Sequence, residues 1–180
     1  VEVVDALDAT TLITYDSSNR AKTITDRKGQ VTTLSYNERG QVSRIERVDQ
    51  TIEVMHDAVG RVSEVRDAAS ANSYRYDAAD RLIEAKSSTA AGLHTLSYGY
   101  DSLNRVTTRT LSGTAIASPE TTDYRWDHAD RLLEHTTTIN GTPHKTEYEY
   151  DAAARLAARH VQAGVGGKLT QRYGYDQAER

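Results

Sequence analysis

The sequence is 180 residues long and carries 22 Lys and Arg against 26 Asp and Glu, a formal net charge of −4. It contains no Cys, which excludes disulfides, a thiol nucleophile and any Cys-based zinc site. Acidic and basic residues alternate, so no basic patch points to nucleic acid, and no stretch approaches the roughly 20 apolar residues of a membrane-spanning helix. Val, Ile and Leu total only 32 residues and Phe is absent. So thin an aliphatic supply leads to disorder when net charge is high. Here the net charge is small and the apolar residues fall in register, which predicts an ordered, thinly cored protein whose units bury their faces on one another.

The register comes from a heptad that recurs along residues 1–180 in about eight copies, so the chain is an array before it is anything else. In chain order the copies begin Tyr15-Asp16, Tyr36-Asn37, His56-Asp57, Tyr76-Asp77, Tyr100-Asp101, Trp126-Asp127, Tyr150-Asp151 and Tyr175-Asp176. Spacings of 21, 20, 20, 24, 26, 24 and 25 residues suit one supersecondary unit per copy. The fifth position is Asn19, Gly40, Gly60, Asp80, Asn104, Asp130, Ala154 and Glu179. The sixth is Arg20, Gln41, Arg61, Arg81, Arg105, Arg131, Arg155 and Arg180. Asp followed three residues later by Gly, Asn or Asp is turn chemistry. The carboxylate accepts a backbone bond two residues on, and the later residue tolerates positive φ. Each heptad therefore predicts a strand end, a tight type I turn with a left-handed residue, and a strand start. Ala154 and Glu179 fit the left-handed position poorly.

Each anchor is preceded by alternation. The residues two before it are Ile13, Leu34, Val54, Tyr74, Tyr98, Tyr124, Tyr148 and Tyr173, and a period of two puts them on the anchor's face. All eleven Tyr occupy one of these two positions. The stripe fits core packing, which a sheet poor in aliphatics needs from aromatics, or alternatively a ligand-binding ladder. After the turn, apolar residues stand at the seventh and tenth positions (Val42 and Ile45, Val62 and Val65), a step that a β-bulge in the return strand reconciles with the same face. Residues 87–92, 112–122, 139–144 and 163–168, rich in Ser, Thr, Gly and Ala and holding both Pro119 and Pro143, read as longer loops at one edge. The heptad at Tyr175 stops at Arg180 before its return strand, which is expected of a segment of a longer array.

No candidate site stands out from the repeat. The six His residues show no paired ligand spacing; His56 replaces an anchor, and the others read as turn, strand-end or loop residues. A catalytic carboxylate pair is needed once, whereas this Asp recurs in nearly every unit, which argues for turn structure. The Arg row can pair with the Asp row across a turn or between units. The stretch around Gly164, Gly166, Gly167 and Lys168 lacks the Ser/Thr and the helix of a phosphate loop. Catalytic, metal and cofactor-binding residues are therefore expected to be none.

The heptads Tyr76-Asp77-Ala78-Ala79-Asp80-Arg81-Leu82 and Tyr100-Asp101-Ser102-Leu103-Asn104-Arg105-Val106 resemble the YD repeat of the RHS family, whose pattern is Tyr-Asp, two variable residues, Gly or Asn, Arg, then an aliphatic. The likeness runs from about Thr11 to Arg180, with departures at His56, Asn37, Gln41, Ala154 and Glu179. It implies an all-β fold of stacked antiparallel β-hairpins in a curved, spiral shell, and marks the heptad residues, Gly60 and Arg61 among them, as structural. It implies that the shell encloses a C-terminal toxin or effector polypeptide, as in polymorphic toxins, type VI secretion effectors and insecticidal toxin complexes. The implied partners are the remaining repeats, the enclosed toxin and secretion-machinery proteins. The implied setting is bacterial, with the protein secreted or delivered to target cells; teneurins carry a similar barrel outside the cell. The family's self-cleavage motif, ending in Asp-Pro-x-Gly-Leu, does not occur here, so no protease is expected. An extracellular carbohydrate- or protein-binding module is the alternative function.

Overall fold

The computed structural model describes residues 2–4, 10–164 and 166–176, and among these every regular element is a β-strand. The first eight are β1 (Glu2–Val4), β2 (Thr10–Tyr15), β3 (Ala21–Thr25), β4 (Val31–Tyr36), β5 (Val42–Glu46), β6 (Thr51–His56), β7 (Val62–Arg66) and β8 (Ser70–Tyr76). The next eight are β9 (Leu82–Thr89), β10 (Gly92–Tyr100), β11 (Val106–Ser112), β12 (Glu120–Trp126), β13 (Leu132–Ile139), β14 (Thr142–Tyr150), β15 (Leu156–Ala163) and β16 (Lys168–Arg172). They fall into two compact units, Val1–Arg75 with Lys86–Ala90, and Tyr76–Ala85 with Ala91–Arg180. Within each, strands follow one another in chain order and pair antiparallel, as consecutive hairpins must.

The heptad turns form as their chemistry predicts. Asp101 N–H donates to the Arg105 carbonyl at 3.0 Å, Asn104 N–H donates back to the Asp101 carbonyl at 3.2 Å, and Asn104 has φ 65°. Positive φ recurs at Asn19, Gly40, Gly60, Asp80, Asp130 and Ala154. Glu179 and Arg180 lie outside the described residues. Ala154, at φ 64°, holds the left-handed conformation despite its Cβ. That conformation costs an L-residue about 1 kcal/mol, which Gly relieves. Ala154→Gly should therefore raise the melting temperature; an unchanged or lower one would show that the turn is relaxed as it stands.

The return strands carry the expected bulge. Ser35 pairs with Arg44 but Tyr36 with Val42, so Ser43 stands unpaired. Thr107 and Leu133 are left over in the same way in β11 and β13. The bulge puts the seventh and tenth residues on the face shared by the anchor and the residue two before it.

The predicted long loops are mostly strand. β9 runs on to Thr89, β13 to Ile139 and β15 to Ala163, so the later hairpins lengthen rather than acquire loops. Asn140 and Gly141, with φ 51° and 75°, make the two-residue turn that Asn-Gly favours. Pro143 lies within β14 opposite Thr138, and its carbonyl accepts Gly164 N–H at 3.0 Å. The span between β11 and β12, which holds Pro119, remains irregular. Four His residues expected in loops or strand ends belong to strands: His94 in β10, His135 in β13, His144 in β14 and His160 in β15.

Neither unit has a conventional core. Among the described residues Ala158 is the one apolar side chain classed as buried, at 1 % exposure. The anchors are half-buried, or exposed in the cases of Tyr15 and Tyr175. Core packing is thus only part of their role; Tyr36, Tyr100, Trp126, Tyr150 and Tyr175 are also fastened by polar bonds to the preceding hairpin.

Candidate functional site

The heptad builds the same joint in turn after turn, and the joint starts from the carboxylate. Asp101 Oδ1 accepts the N–H groups of Leu103 at 2.9 Å and Arg105 at 3.0 Å. Its Oδ2 takes Arg105 Nε and Nη2, each at 2.7 Å. Asp16, Asp57, Asp77, Asp127 and Asp151 hold Arg20, Arg61, Arg81, Arg131 and Arg155 in the same way. In the second copy Asn37 Oδ1 accepts the N–H groups of Arg39 and Gln41, each at 3.0 Å, and Asn37 Nδ2 donates to Gln41 Oε1 at 3.2 Å. A neutral amide pair there replaces the ion pair without changing the turn.

Pinned at Nε, the guanidinium reaches forward to the next unit. Arg105 Nη1 donates to the Asp127 carbonyl at 2.6 Å and to Asp130 Oδ1 at 2.9 Å. Arg81 Nη1 does the same to Asp101 and Asn104, at 3.1 and 2.9 Å. Gln41 Nε2 likewise meets the Gly60 carbonyl at 2.6 Å. The guanidinium also lies against the next anchor ring. Arg20 sits 4.4 Å from the Tyr36 centroid, Arg81 4.7 Å from Tyr100, Arg131 4.9 Å from Tyr150, and Arg155 4.5 Å from Tyr175. Arg105 is 6.0 Å from Trp126. Such placement over a ring face is attractive through the ring quadrupole.

The ring completes the joint by donating backward. Tyr36 Oη bonds the Ala21 carbonyl at 2.7 Å, Tyr100 the Leu82 carbonyl at 2.7 Å, and Tyr150 the Leu132 carbonyl at 2.9 Å. Trp126 Nε1 meets the Val106 carbonyl at 2.7 Å, and Tyr175 Oη the Leu156 carbonyl at 2.8 Å. The sequence left open whether Arg pairs across its turn or between units; it does both. Asp176 has bonding partners, although its turn extends beyond the described residues. His56 occupies its anchor position half-buried, opposite Val62.

These bonds set the carboxylates' chemistry. The Arg105 backbone N–H, then its guanidinium against an opposing desolvation, holds Asp101 below its ordinary 3.8. Asp16, Asp77, Asp127 and Asp151 are depressed by the same bonds, and Asp57 is too, although its desolvation opposes them most strongly. On the other sheet face Lys168, then Lys145, bring Glu147 from 4.5 to about 2. A folded-state pKa below the unfolded one contributes stability that is complete above the unfolded value and lost as pH falls through the folded one. The carboxylates' contribution to thermal stability should hold level above pH ~5 and decline steadily from pH ~4 to ~2. A melting temperature constant down to pH ~2.5 would contradict this linkage.

A second set of turns at the opposite end of the strands escaped the sequence reading. Asp26 Oδ1 accepts Lys28 and Gln30 N–H groups at 2.8 and 2.9 Å, with Gly29 at φ 77°. Asp67 Oδ1 takes Ala69 and Ser70 N–H groups at 2.8 and 2.7 Å. The signal was present in Asp26 and Gly29, spaced as Asp57 and Gly60 are. The Gly164 stretch forms a turn into β16, where Lys168 Nζ binds Glu147 Oε2 at 2.7 Å; Val165 lies outside the described residues. Among the described residues no group of three His, Asp or Glu could hold a metal ion, and no helix is long and apolar enough to cross a membrane.

The teneurin YD-shell family matches residues 8–133. No curated protein matches the chain significantly. Among solved structures, the crystal structure of TcdB2-TccC3-Cdc42 is 20 % identical, with a TM-score of 0.75 over 93 % of this chain and 10 % of that one. The Photorhabdus luminescens Tc holotoxin pore with a TccC3 mutation is 21 % identical, with a TM-score of 0.71 over 91 % of this chain and 9 % of that one. TcdB2-TccC3 without its hypervariable C-terminal region is 20 % identical, with a TM-score of 0.74 over 93 % and 10 %. The chain thus spans about a tenth of the solved chains it matches, and identities this low speak for the fold alone.

Proposed function

Because the chain belongs to the teneurin YD-shell family, we propose that it forms a stretch of shell wall around a polypeptide cargo, a toxin or effector kept inert until delivery. The structural, shell-like role follows from the family. The cargo is our reading, and the repeated joint carries it. A chain of hairpins tied turn to turn by Asp, Arg and an aromatic ring is suited to bearing load over a large area. It spends the heptad carboxylates and guanidinia on the wall itself.

On this reading the partners are further repeats of the same wall, the enclosed polypeptide and the machinery that exports or delivers it. The setting is bacterial and the protein is secreted or delivered to target cells. Carbohydrate binding at one edge loses much of its motive, because most of the Ser/Thr-rich segments are strand and tight turn rather than open loop. Protease treatment of the native full-length protein tests the reading. A cargo segment that survives while the wall is intact and is digested once acid opens it supports enclosure. A cargo segment digested at the same rate in both states removes it.

A further inference from the structure

The two units differ on the face that carries the anchors. In the first, the residue two before each anchor faces an aliphatic partner: Ile13 opposite Ile24, Leu34 opposite Ile45, Val54 opposite Val65. In the second, the same register sets Tyr98 opposite Arg109, Tyr124 opposite His135, and Tyr148 opposite Arg159. Directly opposed residues share a face, and Arg109 and His135 pair onward with Thr122 and Thr146, two residues from Tyr124 and Tyr148. The six side chains therefore form one row across β10–β15 in which Tyr alternates with Arg109, His135 and Arg159. The His135 ring lies 6.3 Å from that of Tyr124 and 5.9 Å from that of Tyr148.

The row lacks counter-charge. Asp123, Glu134, Glu147 and Glu149 project to the opposite face, where Arg125, Lys145, Lys168 and His160 engage Glu134, Glu147 and Glu149. Among the described residues of β10–β15, Glu120 at the start of β12 is the acid left on the row's face, and neither Arg109 nor Arg159 has a carboxylate partner. Burial, then Arg159, hold the His135 imidazole below its usual pKa, so near neutral pH it stands in the row as an uncharged hydrogen-bonding ring between the two guanidinia. A chain of net charge −4 has thus placed cations on one sheet face without neutralising them.

We propose that this face of the second unit binds an extended acidic polypeptide, its carboxylates on Arg109, His135 and Arg159 and its apolar side chains on the intervening Tyr rings. Arg109, His135 and Arg159 recur every second strand and step two residues along it each time, since Arg109 lies across from Thr137 and His135 from Val161, which sets them roughly 12 Å apart. An extended chain rises about 3.2 Å per residue with alternate side chains on one face, so Asp or Glu at every fourth position, about 13 Å apart, keeps nearly in step with them. The inference rests on the reading that the wall faces a polypeptide, and it names that polypeptide's chemistry.

Fluorescence anisotropy of the 180-residue chain at low salt, with a short labelled peptide carrying Glu at every fourth position, tests it. The peptide should bind, and more tightly than one of the same composition with its Glu residues clustered. Combined Arg109→Gln and Arg159→Gln should weaken binding by about ten-fold or more. Arg125→Gln, on the opposite face, should leave binding unchanged, and circular dichroism melts should show all variants folded. Undetectable binding, equal affinity in the double variant, or tighter binding of a heparin oligosaccharide or oligothymidylate overturns the proposal. The shell reading is decided separately, by cargo protection, and survives that outcome.

Discussion

Replacing Gly113 with alanine should destabilise the protein by about 3 kcal/mol or more, the sum of a backbone penalty and an overpacking penalty. Gly113 leaves β11 at φ 142°, where L side chains are rarely found. A Cβ there would collide with the Leu93 carbonyl oxygen and come within 2.7 Å of its carbon and 3.0 Å of the His94 Cα. These are backbone atoms, so no side chain can swing aside. The Leu93 carbonyl also accepts Ala115 N–H at 3.2 Å, and Leu93 N–H donates to Thr114 Oγ1 at 2.9 Å, so the strand and loop would have to separate together. Urea denaturation of the variant checks this. A loss below about 1 kcal/mol would mean that the loop passes Leu93 less closely than described.

Trp126→Ala should cost about 2–3 kcal/mol, from lost half-buried ring area and a lost donor. The ring lies opposite Leu132, beneath Arg105, and its Nε1 satisfies the Val106 carbonyl at 2.7 Å. Two further substitutions separate these contributions. Trp126→Phe keeps a ring under Arg105 but removes the donor, and should cost about 1 kcal/mol. Trp126→Tyr supplies the hydroxyl that Tyr100 and Tyr150 use on the corresponding carbonyls, and should lie nearest the parent. Thermal melts ranking Phe with Tyr would show that the backward bond contributes nothing. An alanine variant as stable as the parent would remove the ring from the joint altogether.

Much of this was legible in the residues because turn chemistry is local. Asp101 and Asn104 declare a turn and a left-handed residue within four positions, and the step from Val42 to Ile45 declares a bulge. The forward reach of Arg105 was not legible, since its target lies 22 residues away on the next hairpin and the heptad by itself does not set that spacing. The later hairpins were misread because Ser, Thr and Gly suggest loop, whereas cross-strand pairs such as Thr122 with Thr137 make them strand. The burial of the aromatic stripe was overestimated for a related reason: alternation reveals which face a side chain takes, not whether another layer covers it. The Tyr, Arg and His row of β10–β15 needed the register itself, because its members stand 11 residues apart within a hairpin and belong to different hairpins beyond it.

Cryo-electron microscopy of the native full-length protein tests the central claim most directly. The account predicts a closed wall in which the hairpins of residues 10–176 stack in order, each Arg against the next anchor ring, around enclosed polypeptide density. An open rod, or a closed wall with an empty interior, would contradict it.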